Sequence, residues 1–100
     1  MPENDSLFHL EKDGETVRIS GELSIYSAAS LKEEMLAVLG EWPDAALNLS
    51  DVHEIDTAGL QVLLAARQEA EHSQHRLRLT EPSQAVLDLL ALYRLSEVLS

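Results

Sequence analysis

A hydroxyl beside a carboxylate at the start of a predicted helix is the feature of this sequence best suited to chemistry. Thr57 directly follows Asp56, between the acidic segment 50–56 and a segment of helical composition that begins at Gly59. A hydroxyl on such a rigid element is accessible to another protein and can be modified or contacted by it. Asp and Thr are also both good N-caps, so helix capping alone is the competing interpretation.

Four further side chains could do chemistry, but their patterns are less specific. His53 and Glu54 could act with Asp56 in acid–base catalysis, although a solvated pair in a loop is the favoured interpretation. His72 and His75 lie three residues apart near a helix end, a spacing that can share a metal ion. The sequence has no cysteine and offers no third obvious ligand beside the two histidines. We therefore expect no catalytic residue, no metal site and no cofactor.

Composition narrows the possible functions. The chain has 100 residues, with 18 acidic and 7 basic side chains and a formal net charge of −11. Such a charge disfavours direct binding to nucleic acid or anionic lipid. No apolar run approaches the ~20 residues that span a bilayer, so direct membrane insertion is not expected. The acidic start, Met1–Asp5, lacks the character of an export signal. We expect one cytoplasmic domain over residues 1–100.

The elements that must position Thr57 follow from the spacing of apolar residues. They are predicted, in chain order, as strands at 7–11 and 16–20, a helix from 28 that ends near Gly40 and Pro43, a strand at 45–49, a helix at 59–70, a strand at 76–80 and a helix that begins at 81–83. Gly21-Glu22-Leu23 is predicted to leave the second strand, and 50–56 to form a polar loop. Strands joined by helices favour parallel neighbours. We expect a two-layer α/β fold with a mixed sheet of about four strands and about three α-helices.

A family resemblance rests on two short motifs and on the order of these elements. Asp56-Thr57-Ala58-Gly59-Leu60 resembles the Asp-Ser-(Ser/Thr/Ala)-Gly-Leu signature of STAS domains, named for sulfate transporters and anti-sigma factor antagonists. Gly21-Glu22-Leu23 and the helix after it are similar to the Gly-Glu-Leu-Asp segment of that family. The late strand and helix also stand where the family has them. The resemblance implies a STAS-like fold over nearly the whole chain.

The resemblance also implies a function without catalysis. In anti-sigma factor antagonists, the residue after the motif Asp is phosphorylated by a partner serine kinase, and the unphosphorylated form binds that kinase. Carried over by position, the phosphate acceptor is Thr57. The implied partner-binding residues are Asp56, Thr57, Ala58, Gly59, Leu60, Glu22 and Ser24. Two positions depart from the family pattern: Thr57 replaces the commoner Ser, and Ser24 stands where an Asp is frequent.

Two alternatives keep the fold and change its use. Some STAS proteins are accessory subunits of ABC-type phospholipid transport complexes, and these resemble this chain in carrying a threonine in the motif. There, Thr57 would contact the transporter ATPase and would never be phosphorylated. Other small STAS proteins are adaptors in chemotaxis-type signalling systems. A monomer is slightly favoured in each case, because aromatic residues are few and no long apolar edge strand is predicted.

Overall fold

A computed structural model describes residues 7–99 of the chain. The segment Met1–Asp5, which carries the prediction about an export signal, lies outside these residues. The described elements are β1 (Phe8–Asp13), β2 (Thr16–Leu23), α1 (Ala28–Glu41), β3 (Asp44–Ile55), α2 (Thr57–His72), β4 (Arg76–Thr80), α3 (Gln84–Leu92) and a final 3-10 turn (Ser96–Val98). Within residues 7–99, none of the helices combines the length and apolar character that spanning a bilayer requires.

The sheet is mixed and follows chain order, β1-β2-β3-β4. β1 and β2 form an antiparallel hairpin around Gly14, a connection that the Asp13-Gly14 pair favours. β2 and β3 are parallel and joined through α1, and β3 and β4 are parallel and joined through α2. Four strands and three α-helices in the described part of the chain confirm the predicted α/β class.

The core lies between the sheet and the helices and is aliphatic. Large side chains from both layers are fully buried, among them Ile19, Leu23, Leu47 and Leu49 of the sheet and Leu31, Met35, Leu63 and Leu90 of the helices. Each buried leucine or isoleucine contributes about 1.5–3 kcal/mol relative to an exposed one. This packing holds the parallel strands β2 and β3 at fixed positions, so their carboxyl ends lie side by side.

The two strands that lead to the motif are longer than predicted. β2 continues to Leu23, so the prediction that Gly21-Glu22-Leu23 leaves the strand is wrong. β3 continues to Ile55, so the predicted polar loop at 50–56 is also wrong. Gly21 has φ +104° beside a shift of register, and a Cβ there would overlap the carbonyl oxygen of Leu7. Despite this irregularity, β2 and β3 remain paired to their ends at Leu23 and Ile55.

The helix boundaries also differ in detail from the predicted ones. α1 continues through Gly40 to Glu41, and Pro43 comes directly after the C-cap residue. α3 begins at Gln84 because Ser83 is its N-cap, so Pro82 is not its first residue. The helical spacing of apolar residues groups Leu87 with Val86 and Leu90. Leu87 is nevertheless 38% exposed, whereas the other two are buried.

Candidate functional site

The start of α2 is fixed by both carboxylate oxygens of Asp56. Oδ1 accepts a hydrogen bond from the Gly59 N–H at 3.0 Å, which is an N-cap of α2. Oδ2 accepts from the Ile25 N–H at 3.0 Å, in the loop that joins β2 to α1. Asp56 therefore caps α2, and the same side chain also ties the loop between β2 and α1 to the helix start.

These contacts stabilise the charged form of Asp56. The Gly59 N–H lowers the pKa of the carboxyl below its usual value of 3.8, partial burial opposes that change, and the Ile25 N–H lowers the pKa further. Asp56 is accordingly a carboxylate at neutral pH. Its oxygens are already engaged by backbone donors, which leaves it poorly suited to catalysis with His53, a side chain that is exposed on β3.

Gly59 is required by the close approach of α2 to the end of β2. A Cβ at this position would overlap the carbonyl oxygen of Leu23 and lie 2.6 Å from its carbonyl carbon. The family resemblance implies that Gly59 belongs to a surface that binds a partner. In the structure, the backbone that approaches Gly59 so closely belongs to the chain itself.

Thr57 is the first residue of α2, and its side chain is exposed. Its Oγ1 lies 2.8 Å from the phenol oxygen of Tyr93, the C-cap residue of α3, and either oxygen can donate the hydrogen bond. No motif in the sequence predicts this contact. The two residues are separated by 36 positions, and Tyr93 carries no local motif that points to Thr57.

The loop between β2 and α1 presents two apolar side chains beside this site. Ile25 is 66% exposed and Tyr26 is 85% exposed. The serines on either side face inward: the Ser24 hydroxyl donates to Glu22 at 2.7 Å, and the Ser27 hydroxyl donates to backbone carbonyls. Ser27 occupies the N-cap position of α1 without capping it through its side chain. The loop is thus held by its buried serines while its apolar residues face outward.

The predicted partner-binding residues divide by exposure. Thr57 is exposed, Asp56, Ala58 and Glu22 are partly buried, and Ser24, Gly59 and Leu60 are buried. The structure adds Tyr93, which contacts Thr57, and the exposed Ile25 and Tyr26 on the loop that Asp56 holds. We call Ile25, Tyr26, Thr57 and Tyr93 together the Thr57 surface. Its margin is acidic, because Glu22 and Glu54 are register partners at the ends of β2 and β3.

A groove of about 380 Å³ between α1 and α2 begins beside this surface. Ala58 is at one end of its lining, directly after Thr57. The other lining residues are Ala28, Lys32, Met35, Leu36, Gln61, Val62, Ala65, Ala66 and Glu69. Leu36 is 50% exposed there, so the apolar character of the Thr57 surface continues along the two helices.

Within the described part of the chain, the pair His72 and His75 does not belong to a larger set of possible metal ligands. Among residues 7–99, no group of three or more His, Cys, Asp or Glu side chains is placed to hold a metal ion. His72 is exposed in the last turn of α2, and His75 is partly buried after it.

A comparison with protein families decides which fold this is. The profile of the family described as "Mlab, STAS domain" matches residues 8–100, almost the entire chain. The chain belongs to this STAS family. The expected membership is confirmed, and the motif Asp56–Leu60 lies within the matched region of the STAS domain.

Relatives of this STAS domain include anti-sigma factor antagonists. It is 26% identical over 83 residues to the Anti-sigma-B factor antagonist of Bacillus subtilis (strain 168), covering 83% of this chain and 76% of that protein. An anti-sigma factor antagonist from Mycobacterium paratuberculosis has a TM-score of 0.75 at 21% identity, over 92% of this chain and 80% of that one. The anti-sigma factor antagonist SpoIIAA in its unphosphorylated form has a TM-score of 0.72 at 22% identity, over 93% and 85%. The STAS-like fold is therefore that of anti-sigma factor antagonists, which are regulatory proteins.

Proposed function

We propose that this STAS domain is a phosphorylation-controlled protein-interaction switch. Its Thr57 surface binds a regulatory serine/threonine kinase, an anti-sigma factor or a related signalling partner, when Thr57 is unmodified. The partner phosphorylates Thr57, and the phosphorylated form binds it more weakly. The domain itself carries out no catalysis in this scheme.

The observation that carries the proposal is the exposed hydroxyl of Thr57 within an exposed apolar surface. Phosphorylation requires a hydroxyl that another protein can reach, and Thr57 meets this requirement at the first position of α2. Ile25 and Tyr26 are exposed on the loop that Asp56 holds, and large exposed apolar side chains that lie together are typical of interaction sites. A modification at Thr57 would thus be made inside the surface that binds.

Electrostatic repulsion is the means by which phosphorylation of Thr57 weakens binding of the partner. A phosphate adds about −1.5 to −2 charges, next to the Asp56 carboxylate and on a chain whose net charge is already −11. If the partner brings a carboxylate to ~4 Å, each charge pair costs about 1 to 4 kcal/mol. A factor of ten in affinity corresponds to about 1.4 kcal/mol. The affinity for the partner is therefore reduced by a factor that ranges from several-fold to several-hundred-fold. This is sufficient for a reversible switch.

The fold can carry this charge without unfolding. The N-terminus of a helix favours negative charge through its dipole and its unpaired N–H groups. Asp56 already occupies the Gly59 N–H, so a phosphate would share this helix end with a carboxylate. The phosphorylated form of SpoIIAA, a protein of similar fold, supports this expectation.

The proposal is tested by incubating the full chain with a candidate kinase and ATP and mapping the phosphate by mass spectrometry. We expect phosphate on Thr57 of the wild type and none in Thr57→Val, which keeps the shape of the side chain without its hydroxyl. Thr16→Ala removes an exposed threonine of the distant hairpin and serves as the matched control, with phosphate still on Thr57. Thr57→Ser shows whether the kinase favours serine.

A binding measurement completes the test. Thr57→Glu is expected to bind the kinase several-fold more weakly than the wild type, since it places a negative charge in the Thr57 surface. Absence of phosphate from Thr57 in the wild type, or equal affinity of wild type and Thr57→Glu, would contradict the proposal.

A second candidate function is that of an accessory subunit in an ABC-type phospholipid transport complex. The observation that favours it is the threonine at position 57, whose hydroxyl already has a partner within the chain, Tyr93. In this use the Thr57 surface packs against the transporter ATPase and remains unmodified. Co-purification separates the two functions: a stable stoichiometric complex with an ATPase, with no phosphate on Thr57, supports the second.

A further inference from the structure

The contact between Thr57 and Tyr93 joins the first residue of α2 to the last turn of α3. The two oxygens lie 2.8 Å apart, the usual length of a hydrogen bond between hydroxyl groups. Tyr93 is 47% exposed, so solvent reaches part of its side chain. The Thr57 hydroxyl is thus both accessible to a partner and held by a neighbouring side chain.

The backbone that carries Tyr93 is rigidly placed. α3 ends in a Schellman motif, in which the Leu95 N–H donates to the Leu90 carbonyl at 2.8 Å and the Arg94 N–H donates to the Ala91 carbonyl at 3.1 Å. Leu90 is buried in the core, and Leu95 packs against it. The end of α3 therefore holds the phenol of Tyr93 at a fixed position beside Thr57, which favours a defined contact between the two hydroxyl groups.

We infer that Tyr93 is a positioning residue for the Thr57 hydroxyl, an inference that rests on the proposed phosphorylation of Thr57. A threonine hydroxyl has one donor and two acceptor sites. The phenol occupies one of these directions and thereby selects one χ1 rotamer of Thr57. It leaves the remaining directions of Oγ1 open to solvent, where a kinase reaches it.

The phosphoryl transfer shows why the rotamer matters. Thr57 Oγ1 attacks the γ-phosphorus of a nucleoside triphosphate bound to the kinase, so the Oγ1–P bond forms and the bond to the leaving nucleoside diphosphate breaks. The hydroxyl proton passes to a carboxylate base of the kinase, and Tyr93 keeps its own proton. The attacking oxygen must lie near 3–3.5 Å from phosphorus and in line with the leaving oxygen. A hydroxyl already held in one rotamer reaches this geometry more often than a freely rotating one.

Nuclear magnetic resonance tests the positioning directly and without a kinase. Three-bond couplings from the Thr57 methyl group to the backbone nitrogen and carbonyl carbon report the χ1 rotamer. We expect one dominant rotamer in the wild type and averaged couplings in Tyr93→Phe, which lacks only the phenol oxygen. Tyr26→Phe is the matched control, because it removes the same atom from a neighbouring exposed tyrosine and should leave the Thr57 couplings unchanged.

Steady-state phosphorylation of Thr57 gives the functional arm. Tyr93→Phe is expected to lower kcat about two- to tenfold, the range that one hydrogen bond supplies. KM for the STAS domain should stay within about twofold of the wild type, because this variant keeps the aromatic ring in the Thr57 surface and loses only the oxygen that contacts Thr57. If Tyr93 had only a structural role, Tyr93→Phe would lower the stability of the domain without lowering kcat at a nearly unchanged KM. A single Thr57 rotamer in Tyr93→Phe, or an unchanged kcat in that variant, would overturn the inference. If the wild type itself takes no phosphate, the proposed function fails, and the couplings alone decide whether Tyr93 positions Thr57.

Discussion

The starts of α2 and α3 share one backbone scheme. Each helix follows a parallel strand, α2 after β3 and α3 after β4. Each N-cap side chain accepts a hydrogen bond from the N–H three residues later, Asp56 from Gly59 at 3.0 Å and Ser83 from Val86 at 3.3 Å. The backbone N–H of each cap residue also donates to a carbonyl of a strand in the sheet. Capping by itself therefore does not distinguish the candidate site from an ordinary helix start.

The side chains around the two caps are what differ. The second oxygen of Asp56 binds the Ile25 N–H in another loop, and Thr57 contacts Tyr93 in another helix. The first residue of α3, Gln84, instead donates within its own helix at 2.7 Å. The start of α2 is thus linked to two other segments by side chains, whereas the equivalent residues of α3 serve α3. A substitution at the start of α2 is therefore expected to affect other segments of the chain. The equivalent substitution at the start of α3 should affect α3 alone and serves as the matched control.

The largest expected difference concerns the third residue of each helix. Gly59→Ala places a Cβ against the Leu23 carbonyl, a backbone group that cannot move aside without shifting β2. We expect a loss of about 3 kcal/mol in the free energy of unfolding, at the upper end of overpacking effects. The equivalent residue of α3, Val86, already carries a larger side chain and is buried. Urea unfolding followed by circular dichroism measures the loss.

Gly40→Ala is the control for the effect of a methyl group in a helix. A Cβ at Gly40, in α1, meets nothing within 4 Å, so this variant should gain about 0.5–1 kcal/mol from helix propensity. Equal stability of the Gly59 and Gly40 variants would show that α2 does not approach β2 as closely as described.

The second prediction compares the caps themselves. Ser83→Ala should cost about 1 kcal/mol, the usual value of an N-cap. Asp56→Ala should cost about 2 kcal/mol, because the Ile25 N–H loses its acceptor together with that of Gly59. Denaturant unfolding of both variants gives the two losses. If Asp56→Ala costs no more than Ser83→Ala, the contact with the β2–α1 loop contributes nothing to stability.

Local patterns were sufficient for most of the fold. The alternation in Arg76–Thr80 predicts β4 with its observed bounds, and the spacing of apolar residues places all three helices within a few residues. The predictions fail at Gly21 and at segment 50–56, where polar or glycine residues continue a strand. There, pairing between β2 and β3 outweighs local propensity, and a single sequence does not display that pairing.

The candidate site was predictable only in part. The motif residues Asp56 and Thr57 could be found because they are adjacent and stand at a helix start. Tyr93 could not, because its contact with Thr57 depends on how far α3 extends before it ends. The exposure of Ile25 and Tyr26 was also missed, since it follows from Asp56 holding the loop by a backbone N–H that carries no sequence signal.

The third prediction concerns the dependence of stability on pH. The expected change in stability is smaller than in the first two predictions, because a single carboxyl group causes it. The folded pKa of Asp56 lies below its usual value, so the unfolded chain binds the proton more tightly than the folded chain does. The stabilisation is therefore complete at about pH 5 and above, where the unfolded carboxyl with its pKa of about 3.9 is almost fully ionised, and is lost as pH falls through the folded pKa. The stability difference between wild type and Asp56→Asn should shrink between neutral pH and pH 3. The difference between wild type and Ser83→Ala should stay constant, because serine does not titrate there.

The smallest expected effect lies at the opposite ends of the same helices, where α2 and α3 are alike. Both end in a Schellman motif whose left-handed residue is not glycine: Gln74 has φ 62° and Arg94 has φ 57°. A side chain in this conformation costs about 1–2 kcal/mol, and the greater freedom of glycine in the unfolded chain offsets part of the gain from removing it. Gln74→Gly and Arg94→Gly should therefore each raise the free energy of unfolding by about 0.5 kcal/mol, measured by thermal unfolding. If both variants gain the same stability, α2 and α3 differ only at their starts. If Arg94→Gly alone loses stability, the end of α3 beside Tyr93 depends on the arginine side chain.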